Sequence, residues 1–321
     1  MKRTICLALL LVFSLSLLSG CGGAFSDTDT LSVVAVTFSE YDWAKNVIGD
    51  EDGIALTILV ENGADLHSYQ PLASDIIKIA TCDVLIYAGG TSSAWIDDAV
   101  KNNPSKQRTV IRLMDLMTEE EKIHEQALHH NATHDHEDEP DEHVWLSLRL
   151  AARFCEAIRD VLCEKMTDAK ARFYENCEAY VNQLMLLDEA FANAVAQSAQ
   201  KTLLFADRFP FSYLAKDYGL TCYAAFPGCS AETEAGFETI AYLSEQCHTL
   251  SLSAIVVLEG TDRALAETVR STAGQAQIAI VEMNSLQSVS RKQIRDGISY
   301  LELMNANLVA LRAALGCEEQ T

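Results

Sequence analysis

The sequence predicts an α/β protein of two lobes, each a mainly parallel sheet flanked by helices, joined by one long rigid helix. Three observations predict it. Short apolar strand-like runs alternate with helical segments, and this happens twice along the chain, the pattern of parallel sheets covered by helices. Between the two series lies Asp168–Ser198, which holds no Gly or Pro and repeats apolar residues mostly three or four apart. The chain of 321 residues, 49% of them hydrophobic, exceeds the ~100–200 residues of one domain and can fill two cores.

The N-terminus is an address. Lys2 and Arg3 precede the apolar run Ile5–Leu18, followed by Leu18-Ser19-Gly20-Cys21. A basic start, a short apolar stretch and small residues make an export signal that is too short to span a membrane comfortably. Ending on cysteine, it resembles a bacterial lipobox. That resemblance implies cleavage of residues 1–20, acylation of Cys21 and an extracytoplasmic protein tethered to the cell membrane by lipid. Residues 21–30 read as a polar tether.

The first lobe, residues 31–166, opens with strand Leu31–Thr37, helix Tyr41–Ile48 ended by Gly49, and strand Ile54–Val60. Helix Ala73–Thr81, strand Cys82–Tyr87 closed by Gly89-Gly90, a helix around Ser93–Lys101 and strand Thr109–Leu113 follow. The bridging helix, 167–198, carries Phe173, Cys177, Tyr180, Val181, Leu184, Leu187 and Phe191 on one face, with Asp168 as an N-cap. At 1.5 Å per residue, thirty residues span about 45 Å, enough to connect two lobes. The second lobe, 199–321, reads as strand Thr202–Ala206, helix Pro210–Tyr218, strand Thr221–Ala225, helix Glu234–Cys247 and strand Ser253–Leu258. Helix Arg263–Ala273, strand Gln277–Val281 and one long helix, Arg291–Leu315, complete it.

Charge excludes some partners. Lys+Arg 24 against Asp+Glu 46 gives a net charge of −22. Such a surface is unsuited to nucleic acid or anionic headgroups, which need a basic field. Of ten cysteines, Cys6 leaves with the signal and Cys21 carries lipid. The other eight are an even set in an exported protein, which permits disulfides. No CxxC spacing occurs, however, and several sit at apolar positions, so buried thiols are expected.

Part of the negative charge is local. Thr118–Glu142 holds His124, His129, His130, His134 and His136, together with ten acidic residues and one basic residue, Lys122. Imidazoles and carboxylates bind divalent cations, and this stretch lacks the aliphatic residues for a core, so it reads as an accessory capture loop. Outside it, His67 follows Gly63-Ala64-Asp65-Leu66 just past a strand, where α/β folds place ligands. His143 stands in Asp141-Glu142-His143-Val144-Trp145-Leu146, immediately before a helical stretch.

These segments resemble those of one family. Gly63–Asp75, with His67-Ser68-Tyr69 and Pro71-Leu72-Ala73-Ser74-Asp75, is similar to the first metal-ligand motif of cluster A-I solute-binding proteins, the zinc/manganese lipoproteins of ABC importers. Glu142–Leu146 is similar to their second motif, and the His-rich stretch before it to their zinc-associated loop. Val34–Phe38, Tyr218-Gly219-Leu220 and Tyr300–Met304 extend the likeness over nearly the whole chain after the signal. The resemblance implies one metal ion in the cleft between the lobes, delivered to an ABC permease, by a protein that works as a monomer and is not an enzyme. In the second lobe the pattern departs. The family's third ligand position holds Arg208, a permanent cation that cannot ligate, and its fourth holds Asn284. Asp207 and Glu259 are the carboxylates expected to close the site with His67 and His143. The expected cation is Zn2+; Mn2+ or Fe2+ would suit two histidines and two carboxylates as well. Two other classes are an extracellular zinc hydrolase and a surface adhesin. Against the hydrolase, the sequence has no His-Glu-x-x-His, no Gly-x-Ser-x-Gly and no Gly-rich phosphate loop.

Overall fold

The structure, a computed structural model, describes residues 30–61, 63, 66–124, 140–230 and 235–317. Cys21 and the lipobox lie outside the described residues, as do His129, His130, His134 and His136. Among the described residues no helix is long and apolar enough to cross a membrane.

In the first lobe β1 (Leu31–Ala35), β2 (Ile54–Ile58), β3 (Val84–Tyr87) and β4 (Thr109–Arg112) form a parallel sheet in the order β2-β1-β3-β4. Every residue of β3 is buried, as are Val33, Val34 and Ala35 of β1. That is why β3 and the second half of β1 read as continuous apolar runs. Helices α1 (Phe38–Ile48), α2 (Ala73–Thr81) and α3 (Ala94–Asn102) connect them. In this strand order the chain leaves β1 in one direction and returns to its other side. The crevice this opens beyond the carboxyl ends of the strands is where open α/β sheets bind ligands.

The second lobe repeats the topology. Strands β5 (Thr202–Phe209), β6 (Thr221–Pro227), β7 (Ala254–Leu258) and β8 (Ala279–Met283) lie parallel in the order β6-β5-β7-β8. Strand β5 runs three residues further than its sequence predicts, through an irregularity in register between Phe205 and Arg208, so Asp207 belongs to the strand.

Helix α4 (Leu148–Lys165), capped by Ser147 accepting from the Leu150 N–H at 3.1 Å, leads into the long α5 (Lys170–Gln197). The 28 residues of α5 pack on α1 and α4 of the first lobe. They also pack on α6 (Ser212–Tyr218) and α10 (Tyr300–Ala314) of the second. Its buried Phe173, Cys177, Tyr180, Leu184, Leu187 and Phe191 belong to one apolar core that continues from lobe to lobe. Smaller cores fill the outer faces, beneath α2 and α3 in one lobe. Their counterpart lies beneath α7 (Phe237–Thr249) and α8 (Ala264–Thr272) in the other.

The last helix is not continuous as the periodicity predicts. A short α9 (Arg291–Arg295) stops before Gly297, whose φ of 92° no helix accepts. Ser299 then opens α10 with a capping box, its hydroxyl accepting from the Glu302 N–H while the Glu302 carboxylate accepts from the Ser299 N–H at 2.8 Å. Among the described residues no disulfide forms, and Cys82, Cys155, Cys163, Cys177 and Cys247 are buried thiols.

Candidate metal centre

Chain geometry brings His67 and His143 together from distant points. His67 lies in a single helical turn, Leu66–Ser68, past the carboxyl end of β2 and anchored by the buried Leu66. His143 precedes a second such turn, Val144–Leu146, whose three side chains are all buried. The second lobe clamps that turn, because the Trp145 indole N–H donates to the Ser285 carbonyl at 2.9 Å. The Tyr213 hydroxyl likewise donates to the Asp141 carbonyl at 2.9 Å.

Each imidazole is oriented by a buried carboxylate. His143, fully buried, holds Nδ1 2.7 Å from Asp141 Oδ1, an oxygen that also accepts the His143 backbone N–H at 2.9 Å. His67 holds Nδ1 3.1 Å from Glu142 Oε1 and beside the Ser92 hydroxyl. The other oxygen of Glu142 accepts the Ser92 N–H at 3.0 Å. With both Nδ1 atoms turned to carboxylates, the two Nε2 atoms face each other at 3.1 Å. A tetrahedral zinc with Zn–N bonds of ~2.0–2.1 Å separates two imidazole nitrogens by about 3.3 Å, so little movement is needed to seat one. Carboxylate-backed imidazoles are the usual support of such ions, since the carboxylate fixes the tautomer and raises the basicity of the ligating nitrogen.

Charge supports the same arrangement. Burial pushes both carboxyls up, but the facing His143 and its hydrogen bonds outweigh burial and hold Asp141 below the usual carboxylate range. Burial likewise raises Glu142, but the close approach of His67, with His143 and Ser92 adding to it, holds that carboxyl below its ordinary value. A depressed carboxyl pKa adds stability that is present above the ordinary range near 4 and lost as pH falls through the depressed value. Acid titration of unfolding should therefore show the protein losing stability below about pH 4, and Asp141→Asn should flatten that part of the profile.

Gly90 makes room for this support. Its φ is 85°, and a Cβ there would lie 2.4 Å from Glu142 Oε2 and 2.5 Å from Glu142 Cβ. Gly90→Ala should cost about 1–3 kcal/mol of stability. It should also weaken zinc binding by roughly 10–100-fold by pushing Glu142 off His67. Thermal melting and calorimetric titration check the two effects.

A third donor lies close by. Among the described residues, His67, His143 and Cys229 form one group whose ligand atoms all lie within 4.8 Å of one another. Cys229 sits in the turn after β6, with the Ser230 N–H donating to the Pro227 carbonyl at 3.2 Å. The sequence alone does not single it out as a ligand. Its signal was position: it follows Pro227-Gly228 at a strand end, whereas most of the other cysteines occupy apolar positions of helices or strands. The adjoining cleft between the lobes, about 600 Å³, is lined by Lys122, His124, Phe209, Ser212 and Gly228 among others.

Asp207 and Glu259 stand outside that group. Asp207 Oδ2 accepts from the Leu258 N–H at 3.0 Å and the Thr261 hydroxyl at 2.7 Å, and Oδ1 accepts from the Arg208 N–H at 2.8 Å. Glu259 accepts from the Ser285 N–H at 2.8 Å and from its hydroxyl at 2.6 Å. Burial raises the Glu259 carboxyl despite those bonds. Both carboxylates thus tie together the carboxyl ends of β5, β7 and β8. Asn284 is engaged too, its N–H donating to Asn307 at 2.6 Å and its Oδ1 accepting from the Leu286 N–H at 2.8 Å. His124 pairs with Pro140 in an antiparallel bridge, which draws together the ends of the His-rich segment.

Two parallel four-stranded sheets bridged by one long helix, with a histidine pair at their cleft, define a solute-binding protein of the cluster A-I type. The chain belongs to the family described as zinc-uptake complex component A, periplasmic, whose model matches residues 33–314. It is 30% identical over 296 residues to the zinc-binding lipoprotein AdcA of Streptococcus pneumoniae serotype 4, covering 92% of this chain and 58% of that protein. The chain therefore spans little more than half of that relative's length. It is 27% identical over 297 residues to the high-affinity zinc uptake system protein ZnuA of Bacillus subtilis, covering 92% and 90% of the two chains. The crystal structure of the Zn(II)-bound ZnuA-like domain of S. pneumoniae AdcA superposes with a TM-score of 0.72 at 28% identity, covering 89% of this chain and 99% of that one.

Proposed function

We propose that the protein captures Zn2+ outside the cytoplasm between Nε2 of His67 and Nε2 of His143 and delivers it to an ABC permease. The observation that carries the reading is the pair of nitrogens 3.1 Å apart, each ring backed by a buried carboxylate. The Zn(II)-bound domain of the pneumococcal relative and the zinc-uptake family support zinc over Mn2+ or Fe2+. In this reading residues 31–166 and 199–321 are the lobes and 167–198 is the strut between them. The loop holding His124, His129, His130, His134 and His136 is an accessory capture segment. Asp207 and Glu259, the carboxylates expected from the sequence to close the site, are each held by hydrogen bonds at the second lobe's strand ends. Cys21 carries the lipid anchor that keeps a monomeric protein beside its permease; the relative's name, lipoprotein, supports this.

Calorimetric titration with Zn2+ tests the site. Affinity should be high at pH 7 and weaken in acid, because an imidazole must be neutral to ligate and each proton competes with the cation. A pH-independent affinity between 5 and 7 would remove the histidines from the site.

A further inference from the structure

We propose that Cys229 supplies the third protein donor, as a thiolate, and that this sulfur makes the site discriminate for zinc against manganese. The inference rests on the reading that His67 and His143 hold the cation; it adds the donor from the second lobe and the selectivity that follows.

Two independent features converge on Cys229. Its sulfur lies within 4.8 Å of ligand atoms of both histidines, though it arrives from the opposite lobe. A zinc bound by one sulfur at ~2.3 Å and one nitrogen at ~2.0–2.1 Å sets them about 3.6 Å apart, so an approach of about 1 Å completes the site. The preceding residue is fitted to the His143 ring. A Cβ at Gly228 would lie 2.9 Å from His143 Cε1 and 2.8 Å from the Phe209 carbonyl oxygen. Only a bare Cα lets this turn close on the imidazole and carry Cys229 up to the cleft. The two acids of this lobe expected at the site are already engaged, Asp207 by Leu258, Thr261 and Arg208, and Glu259 by Ser285.

Chemistry then sets the cargo. As the sulfur–zinc bond forms, the thiol proton passes to the buffer and nothing is oxidised. Two neutral imidazoles and one thiolate leave a formal single positive charge on the ion, which the buried Asp141 and Glu142 behind the rings offset. Thiolate favours zinc, whereas manganese prefers carboxylate, carbonyl and water oxygens and binds weakest of the first-row divalent series. A sulfur at this position therefore raises zinc affinity and does little for manganese.

The test uses the metals alone. Co2+ added to the wild-type protein should give the near-ultraviolet sulfur-to-cobalt charge-transfer band, and Cys229→Ser should abolish it while still binding Co2+. The same substitution should weaken Zn2+ binding by roughly 100-fold. It should leave Mn2+ binding within about threefold, and Cys229→Asp should shift the Mn2+-to-Zn2+ affinity ratio toward manganese by about tenfold or more. A band that persists in Cys229→Ser, or an unchanged Mn2+-to-Zn2+ ratio in both variants, would overturn the inference. Zinc bound tightly by wild type through the histidines, with Co2+ giving no sulfur band, would refute the thiolate alone. Zinc affinity unaffected by His67→Ala and His143→Ala would refute the underlying reading instead.

Discussion

His143→Ala should lower zinc affinity by roughly 100-fold or more while leaving the fold intact. Removing even the outer partner of a metal-bound histidine costs 10–100-fold, so loss of the ligand itself should reach at least the top of that range. The position is also demanding structurally. His143 is fully buried, hydrogen-bonded through Nδ1 to Asp141 and set against Trp145 with ring centroids 5.2 Å apart. Alanine leaves the Asp141 carboxylate without its ring partner, so a modest fall in stability should accompany the loss of binding. His143→Gln, which keeps a polar side chain in the cavity, should restore much of the stability and none of the affinity. Competitive titration against a chelator of known strength checks the first effect and thermal melting the second. A change in affinity under threefold would show that the ion is held elsewhere.

The second large effect falls on the fold. Asp42→Ala should destabilise the protein by about 3 kcal/mol or more. Asp42 lies on α1 and is 3% exposed. Its Oδ2 accepts from the Tyr180 hydroxyl of α5 at 3.0 Å and from the Tyr300 N–H, at the start of α10, at 3.1 Å. One carboxylate thus joins the first lobe, the bridging helix and the last helix of the second lobe. Burial raises its pKa above the ordinary value, an effect those hydrogen bonds reduce in part. Alanine would strand a buried hydroxyl and a buried helix-terminal N–H in a setting that water does not reach, and the cost is their unmet desolvation as well as the lost bonds. Asp42→Asn keeps an acceptor in place and should cost markedly less. Denaturant unfolding of the three proteins measures the ordering, and equal stability of Asp42→Ala and wild type would refute the junction.

The fold was legible in the sequence because both lobes advertise their periodicity. Strand β3 is a continuous buried apolar run and β1 one from Val33 to Ala35, and α5 keeps one apolar face over its whole length without a helix breaker. The misread boundary, between α9 and α10, turned on a local competition. Apolar spacing from Arg291 to Leu315 suggests one helix, but Gly297 and the Ser299–Glu302 capping box end one and begin another. The two histidines that the fold brings together were legible for a similar reason. His67 and His143 lie in short motifs at element ends, and their carboxylate partners Asp141 and Glu142 immediately precede His143 in sequence. What the second lobe contributes depends on which side chains the strand ends have already engaged. Asp207 and Glu259 look available as letters in a sequence, and only the packing of β5, β7 and β8 reveals the backbone and hydroxyl donors they serve. Cys229 has the converse problem, because a cysteine after Pro-Gly carries no metal signature until the turn folds back against His143.

The central claim, one zinc ion between two carboxylate-backed histidines, is tested most directly by anomalous scattering at the zinc edge from crystals of the zinc-loaded protein. The expected result is a single strong peak in the interlobe cleft, ~2.0–2.1 Å from Nε2 of both His67 and His143. A principal peak at Asp207 and Glu259, or elsewhere with both Nε2 atoms out of bonding distance, would contradict it.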